Sequence, residues 1–217
     1  MIKNDYLTTK LKELSELITK VLKSNDSKQL EESREMVNEA FKRLLGLNSE
    51  LAGSLSYIDL MKLVGAYEAA EALKFVILAQ LLKLDGDMNK AEGEEIKSFN
   101  IYLKSLNIYI KAVILDTDCL EQGEKIIDDI VHEVEEYELP KESRLLMFNY
   151  YELVNKFDKA EDMLFDLLED TDNEEDVVEE GVNFYERLLE KPEEALEDGN
   201  LPLEEVQEGI KRLKELK

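Results

Sequence analysis

Residues 145–160 read Leu145-Leu146-Met147-Phe148-Asn149-Tyr150-Tyr151-Glu152-Leu153-Val154-Asn155-Lys156-Phe157-Asp158-Lys159-Ala160. A large aromatic, Tyr151, is followed four residues later by Asn155, two after that by Phe157 and three further on by Ala160. Each residue type has a physical reason at its place. Tyr151 is the size that fills the gap between two antiparallel helices. Asn155 ends the first of them, because a short polar side chain tolerates left-handed backbone. Ala160 is small where the helices approach most closely, and Leu164 and Leu168 extend the same face. The stretch predicts a helical hairpin, 141–154 paired with 157–169, with Pro140 at its start.

This spacing is the tetratricopeptide (TPR) pattern. A weaker echo lies at Leu82, Gly86, Met88 and Ala91, and it predicts a turn at Asp85-Gly86-Asp87. The expected fold is therefore all-α, with antiparallel helical hairpins stacked as a short TPR-like solenoid of about nine to ten helices and no sheet. An N-terminal hairpin over 1–46 is expected to continue into a repeat region over 47–217.

Composition points the same way. The 217 residues include only nine Gly and three Pro, with 36% charged and 44% hydrophobic residues. Few turn formers among many Glu, Lys and Leu suit helices and not strands. Leu7, Leu11, Leu14, Leu17, Ile18, Val21 and Leu22 recur at steps of three and four, which gives one apolar helix face. Asn25, Asp26 and Ser27 offer caps for a second helix reaching about Leu45. Its inward set is Leu30, Met36, Val37, Ala40, Phe41, Leu44 and Leu45, and Gly46 sits where a left-handed cap belongs. A short helix is expected near 57–63, an apolar one from Tyr67 to Leu84, and a long one from Met88 to Leu115. The long helix carries a stripe of Phe99, Tyr102, Leu103, Leu106, Tyr109, Ile110 and Val113, which reads as core. Asp116-Thr117-Asp118 opens a further helix to Tyr137. Two last helices, 176–190 and 203–216, flank a linker with Pro192 and Gly199, and Asn200 precedes the second.

The net charge is −24 and falls unevenly: residues 1–120 net −3 and residues 121–217 net −21. Such a field repels phosphate backbones and anionic headgroups, so neither nucleic acid nor a membrane is an expected partner. It favours a basic partner and keeps the chain in solution. After Lys3 the N-terminus has no apolar stretch, so no signal peptide is expected, and the expected compartment is the cytoplasm.

The sequence offers little for catalysis. His132 with Asp129 makes an Asp-x-x-His step, yet a di-iron site needs that motif twice, and no second histidine exists. Asp85, Asp87 and Asn89 start like a calcium loop, but Lys90 stands where glycine is required and Ile96 where Glu is required. Cys119 is the only cysteine, and no glycine-rich phosphate loop occurs. No cofactor, metal or enzymatic activity is expected.

Three further segments carry a family resemblance. They are Asp5-Tyr6; Glu138-Leu139-Pro140 before Phe148-Asn149-Tyr150-Tyr151-Glu152 and Lys159-Ala160-Glu161-Asp162; and Phe184-Tyr185-Glu186-Arg187-Leu188-Leu189 before Leu201-Pro202-Leu203-Glu204-Glu205-Val206. With these the chain resembles an uncharacterised bacterial family of small TPR-like proteins, a domain of unknown function. The resemblance implies a TPR-like helical fold, no known activity and no catalytic residues.

The function expected from the residues is a protein-interaction scaffold that takes a partner peptide or helix on a concave surface. Asn149 and Glu152 are expected in that groove, with Arg144 near its rim. The alternatives are a homodimer built on the first hairpin, a small-molecule or peptide sensor with a pocket beside the 88–115 helix, and a DNA mimic acting on basic proteins.

Overall fold

The computed structural model describes the backbone of residues 2–21 and 27–216, and the side chains of 9–21, 29–120 and 123–216. Among the described residues there are twelve α-helices, two short 3-10 helices and no strand. No helix among them is long and apolar enough to cross a membrane. The chain divides into two compact units, Met1–Glu138 and Leu139–Lys217.

The first unit holds α1 (Ile2–Val21), α2 (Ser27–Leu45), α3 (Ser49–Ser54), α4 (Tyr57–Val64), α5 (Ala72–Ala91), α6 (Glu95–Leu115) and α7 (Glu124–Val134). Leu14 and Val21 of α1 and Val37, Ala40, Phe41 and Leu44 of α2 are buried, as their spacing predicts. Met36 is not: it is 36% exposed at the edge of α2, one position off the buried row. The expected roles of Asp5, Tyr6, Leu7, Leu22, Asn25 and Asp26 fall on residues whose side chains lie outside the described set. Gly46 takes the left-handed conformation, at φ 75°, and closes α2 through its N–H to the Lys42 carbonyl.

The centre of this unit is α5, whose residues Phe75 to Leu82 are all buried, Gln80 included. A helix buried all round carries no amphipathic period, so its ends leave little mark in the sequence. It runs unbroken through Asp85-Gly86-Asp87, so the turn expected there is absent and all four residues of the weaker repeat lie on one helix. The reason for the glycine is packing. A Cβ at Gly86 would stand 2.6 Å from Cε1 of Tyr102 on α6. The two helices close on small residues and hydroxyls: Ser105 Oγ donates to the Ala79 carbonyl at 2.6 Å, and Ser98 Oγ donates to that of Gly86 at 2.9 Å. The chain turns instead at Gly93, φ 79°, so α6 begins at Glu95 and not at Met88.

Two other boundaries move. The start expected at Tyr67 is replaced by a 3-10 turn, Ala69–Glu71, before α5. Asp116 does act as a cap, its carboxylate accepting from the Asp118 N–H at 3.1 Å, but the capped element is a second 3-10 turn, Thr117–Gln122. The helix total exceeds nine to ten because short pieces form inside expected connectors. One of them is α3, whose N-cap Asn48 accepts from the Leu51 N–H at 2.8 Å.

The second unit holds α8 (Lys141–Leu153), α9 (Phe157–Asp170), α10 (Glu175–Leu189), α11 (Glu193–Asp198) and α12 (Leu203–Lys214). These agree with the expected spans within a few residues, apart from α11 inside the Pro192–Gly199 linker. Helix α8 packs on α9, and α10 packs on α12 and on α9. Tyr151, Phe157, Ala160, Leu164 and Leu168 are all buried. Asn155 stands at φ 56°, with the Lys156 N–H bonded to the Tyr151 carbonyl and its own N–H to that of Glu152. That is a Schellman closure built on asparagine.

Because Asn155 is exposed, its substitutions isolate backbone preference. Asn155→Ala is expected to lose about 1 kcal/mol in urea unfolding, and Asn155→Gly to lose nothing or gain slightly. Equal stabilities of the Ala and Gly variants would show that left-handed geometry is not what selects asparagine here.

Candidate protein-interaction groove

Positions four apart on a helix share a face, and two such rows confront each other in the second unit. Lys141, Leu145 and Asn149 come from α8; Asp176, Val177 and Glu180 come from α10. Between them lies a cleft of about 310 Å³, floored by Phe148, Leu164 and Leu167. Beneath it Phe148 meets Phe184 edge-to-face, centroids 5.2 Å apart at 65°, a contact that joins the two helices. Leu145 is 39% exposed at the cleft wall, an apolar side chain open to solvent.

Charges close the two ends. Lys141 pairs with Glu174 at one end. At the other, Arg187 on α10 donates through Nε and Nη2 to both carboxylate oxygens of Glu152 at 2.7 Å, and Nη2 also reaches Glu180 at 2.9 Å. These hydrogen bonds, led by that to Glu152, hold the guanidinium protonated still more firmly than usual. A bidentate guanidinium–carboxylate pair fixes orientation as well as charge, so Glu152 acts as a staple between α8 and α10.

The three residues singled out from the sequence are thus separated in role. Asn149 lines the cleft, its amide donating to the Leu145 carbonyl at 2.8 Å. Glu152 borders it with its carboxylate engaged by Arg187. Arg144 is turned toward α9, where its guanidinium pairs with Asp170 in the last turn, and it does not line the cleft. Lys141, Leu145, Asp176, Val177, Glu180 and Arg187 are the neighbours that the sequence does not reveal. The steps Lys141–Leu145–Asn149 and Asp176–Glu180 are the available signal, but nothing in the chain says that α8 and α10 lie side by side.

The chain is thus an all-α protein with a narrow, partly apolar cleft between helices of its second unit. Over residues 1–217 it matches the Family of unknown function (DUF6483), and it belongs to that family. No curated protein and no solved structure matches it.

Proposed function

We propose that the chain is a non-enzymatic interaction scaffold of the cytoplasm, whose second unit is a pair of TPR-like hairpins binding a peptide or helix along the α8–α10 cleft. The observation that carries this reading is the cleft itself. In TPR-like stacking the first helices of successive hairpins line the concave side. Here α8 and α10 are the first helices of the α8–α9 and α10–α12 pairs, and the open cleft lies between them. The signature residues support it: buried Tyr151 and Ala160, and left-handed Asn155. Asp176 on the wall favours a segment that carries a basic side chain beside an apolar one, the latter meeting Leu145.

The one cysteine fits a non-catalytic reading. Cys119 is buried and its thiol is pushed up to about 12, first by burial and then by Asp116 and Asp118. A thiol so placed is protonated at neutral pH and inert as a nucleophile. Self-assembly through the first hairpin is the weaker reading, because its α1–α2 groove is lined by five glutamates against Lys20 and Arg43, and a second copy would add to this excess of negative charge.

The test is affinity capture from the native extract with the wild-type chain and a Leu145→Glu/Asn149→Ala variant. Both positions are at the surface, so the variant is expected to keep its far-ultraviolet dichroism and melting temperature. A partner retained by the wild type and at least tenfold depleted on the variant is the expected result. Equal retention would move the binding surface off the cleft. Glu152 is left intact, because changing it would release Arg187 and blur the outcome.

A further inference from the structure

A different pocket, within the first unit, carries a more specific chemistry. It lies between the N-terminal half of α6 and the end of α7 and encloses about 460 Å³. Two aromatic rings line it: Phe99 and Tyr137 are stacked, with centroids 4.4 Å apart and 28° between planes. Tyr137 is 43% exposed there, an aromatic ring that the fold leaves open to solvent in a concave site.

Four glutamates line the pocket around the stack, beside Lys90 and His132. Glu133 is paired with Lys90, and Glu135 lies 2.6 Å from Nδ1 of His132. Glu95 and Glu136 also line the pocket and have no partner among the described residues. Lys90 is the cation already on this wall, and the hydrogen bond to Glu133 holds its ammonium above its ordinary range. Among the described residues no three His, Cys, Asp or Glu side chains are grouped to hold one metal ion. The carboxylates are instead spread along an aromatic wall. Separated negative charges beside π faces suit a cation with its own apolar body, since ring faces attract ammonium and guanidinium groups.

We propose that this pocket binds an organic cation, an alkylammonium or guanidinium group laid against the Phe99–Tyr137 stack and held by Glu95 and Glu136. Two sources share that chemistry, a free polyamine and a lysine or arginine side chain of another protein. The site is separate from the α8–α10 cleft, and neither reading depends on the other.

Calorimetric titration of the full chain at 150 mM NaCl tests it, with spermidine in one arm and an N-acetylated Gly-Arg-Gly amide in the other. Magnesium chloride serves as the counterion control, because a chain of net charge −24 collects cations without a site. Saturable binding of one probe at a single site is expected, weakened at least tenfold by Glu95→Gln/Glu136→Gln and again by Tyr137→Ala. All three residues are exposed, and dichroism should show each variant folded. The tighter probe names the source. The proposal is overturned if neither probe saturates, if magnesium binds equally well, or if the variants bind as the wild type does.

Discussion

Gly86→Leu is expected to lower the unfolding free energy by about 3 kcal/mol, while Gly53→Ala raises it by about 0.5 kcal/mol. Both glycines lie inside helices, where alanine is intrinsically favoured by up to about 1 kcal/mol. Helix propensity alone would therefore give the same sign at both. The surroundings separate them. A Cβ at Gly53 meets nothing within 4 Å, whereas one at Gly86 meets two ring carbons of Tyr102 at 2.6 and 2.7 Å. Tyr102 has little room to yield. It is 2% exposed, and its hydroxyl donates to Asp87 at 2.7 Å. Its phenol is pushed well above the usual range, chiefly by burial and then by Asp87. A leucine must either push α6 off α5 or displace the ring from its hydrogen bond. Urea unfolding of Gly86→Leu, Tyr102→Ala and the double variant measures the coupling. The double variant should cost clearly less than the two single costs together. Strict additivity would show that Tyr102 is not what requires glycine at 86.

That glycine also marks where reading the sequence fails. Asp85-Gly86-Asp87 has the composition of a turn, and Leu82, Met88 and Ala91 around it imitate a repeat. Turn chemistry is a local signal. The requirement at Gly86 comes from Tyr102, 16 positions on, and from helix packing that no local window contains. The second unit is legible for the opposite reason. Its helices are amphipathic, its turns are closed by residues with a backbone role of their own, such as Asn155, and partners in each hairpin are near in sequence. The α8–α9 hairpin can be drawn from residues 141–169 alone.

The candidate groove is partly legible. Asn149 comes from the helical register of α8. The capture of Glu152 by Arg187, 35 residues away, depends on how one hairpin lies against the next. The Phe99–Tyr137 stack escapes the sequence because Phe99 falls within an apolar stripe that reads as core, and Tyr137 ends a helix expected to be regular. In the structure Phe99 is half-buried and becomes the wall of a pocket.

Arg34→Met is expected to cost about 3 kcal/mol at pH 7, and less as the pH falls. Arg34 on α2 donates from Nη1 to Asp85 Oδ1 at 3.2 Å, and from Nε and Nη2 to Glu92 at 3.2 and 2.6 Å. The Glu92 contacts are exposed and contribute little. Asp85 is different, at 5% exposure on the buried helix α5, with Asn89 as its other hydrogen-bond partner. Burial raises its pKa above the ordinary carboxylate range, and Arg34 is the first of the groups that lower it again. Without Arg34 the carboxylate is left charged, buried and opposed mainly by Lys97, so it should bind its proton more tightly still. The sign comes from linkage: a carboxylate with a raised folded-state pKa binds its proton more tightly folded than unfolded. Its contribution is most favourable below the unfolded value and is lost as the pH rises through the folded one. The difference between Arg34→Met and wild type should therefore be largest at neutral pH and shrink toward pH 5, while effects of the other carboxylates cancel between the two. Asp85→Asn in the Arg34→Met background removes the charge with little change of shape. It should recover most of the loss at pH 7 and flatten the pH dependence. Chemical unfolding of the three proteins at pH 5, 6 and 7 measures this. A penalty that stays constant with pH, or that Asp85→Asn leaves untouched, would mean that Arg34 holds the first unit together by packing its alkyl chain and not by neutralising Asp85.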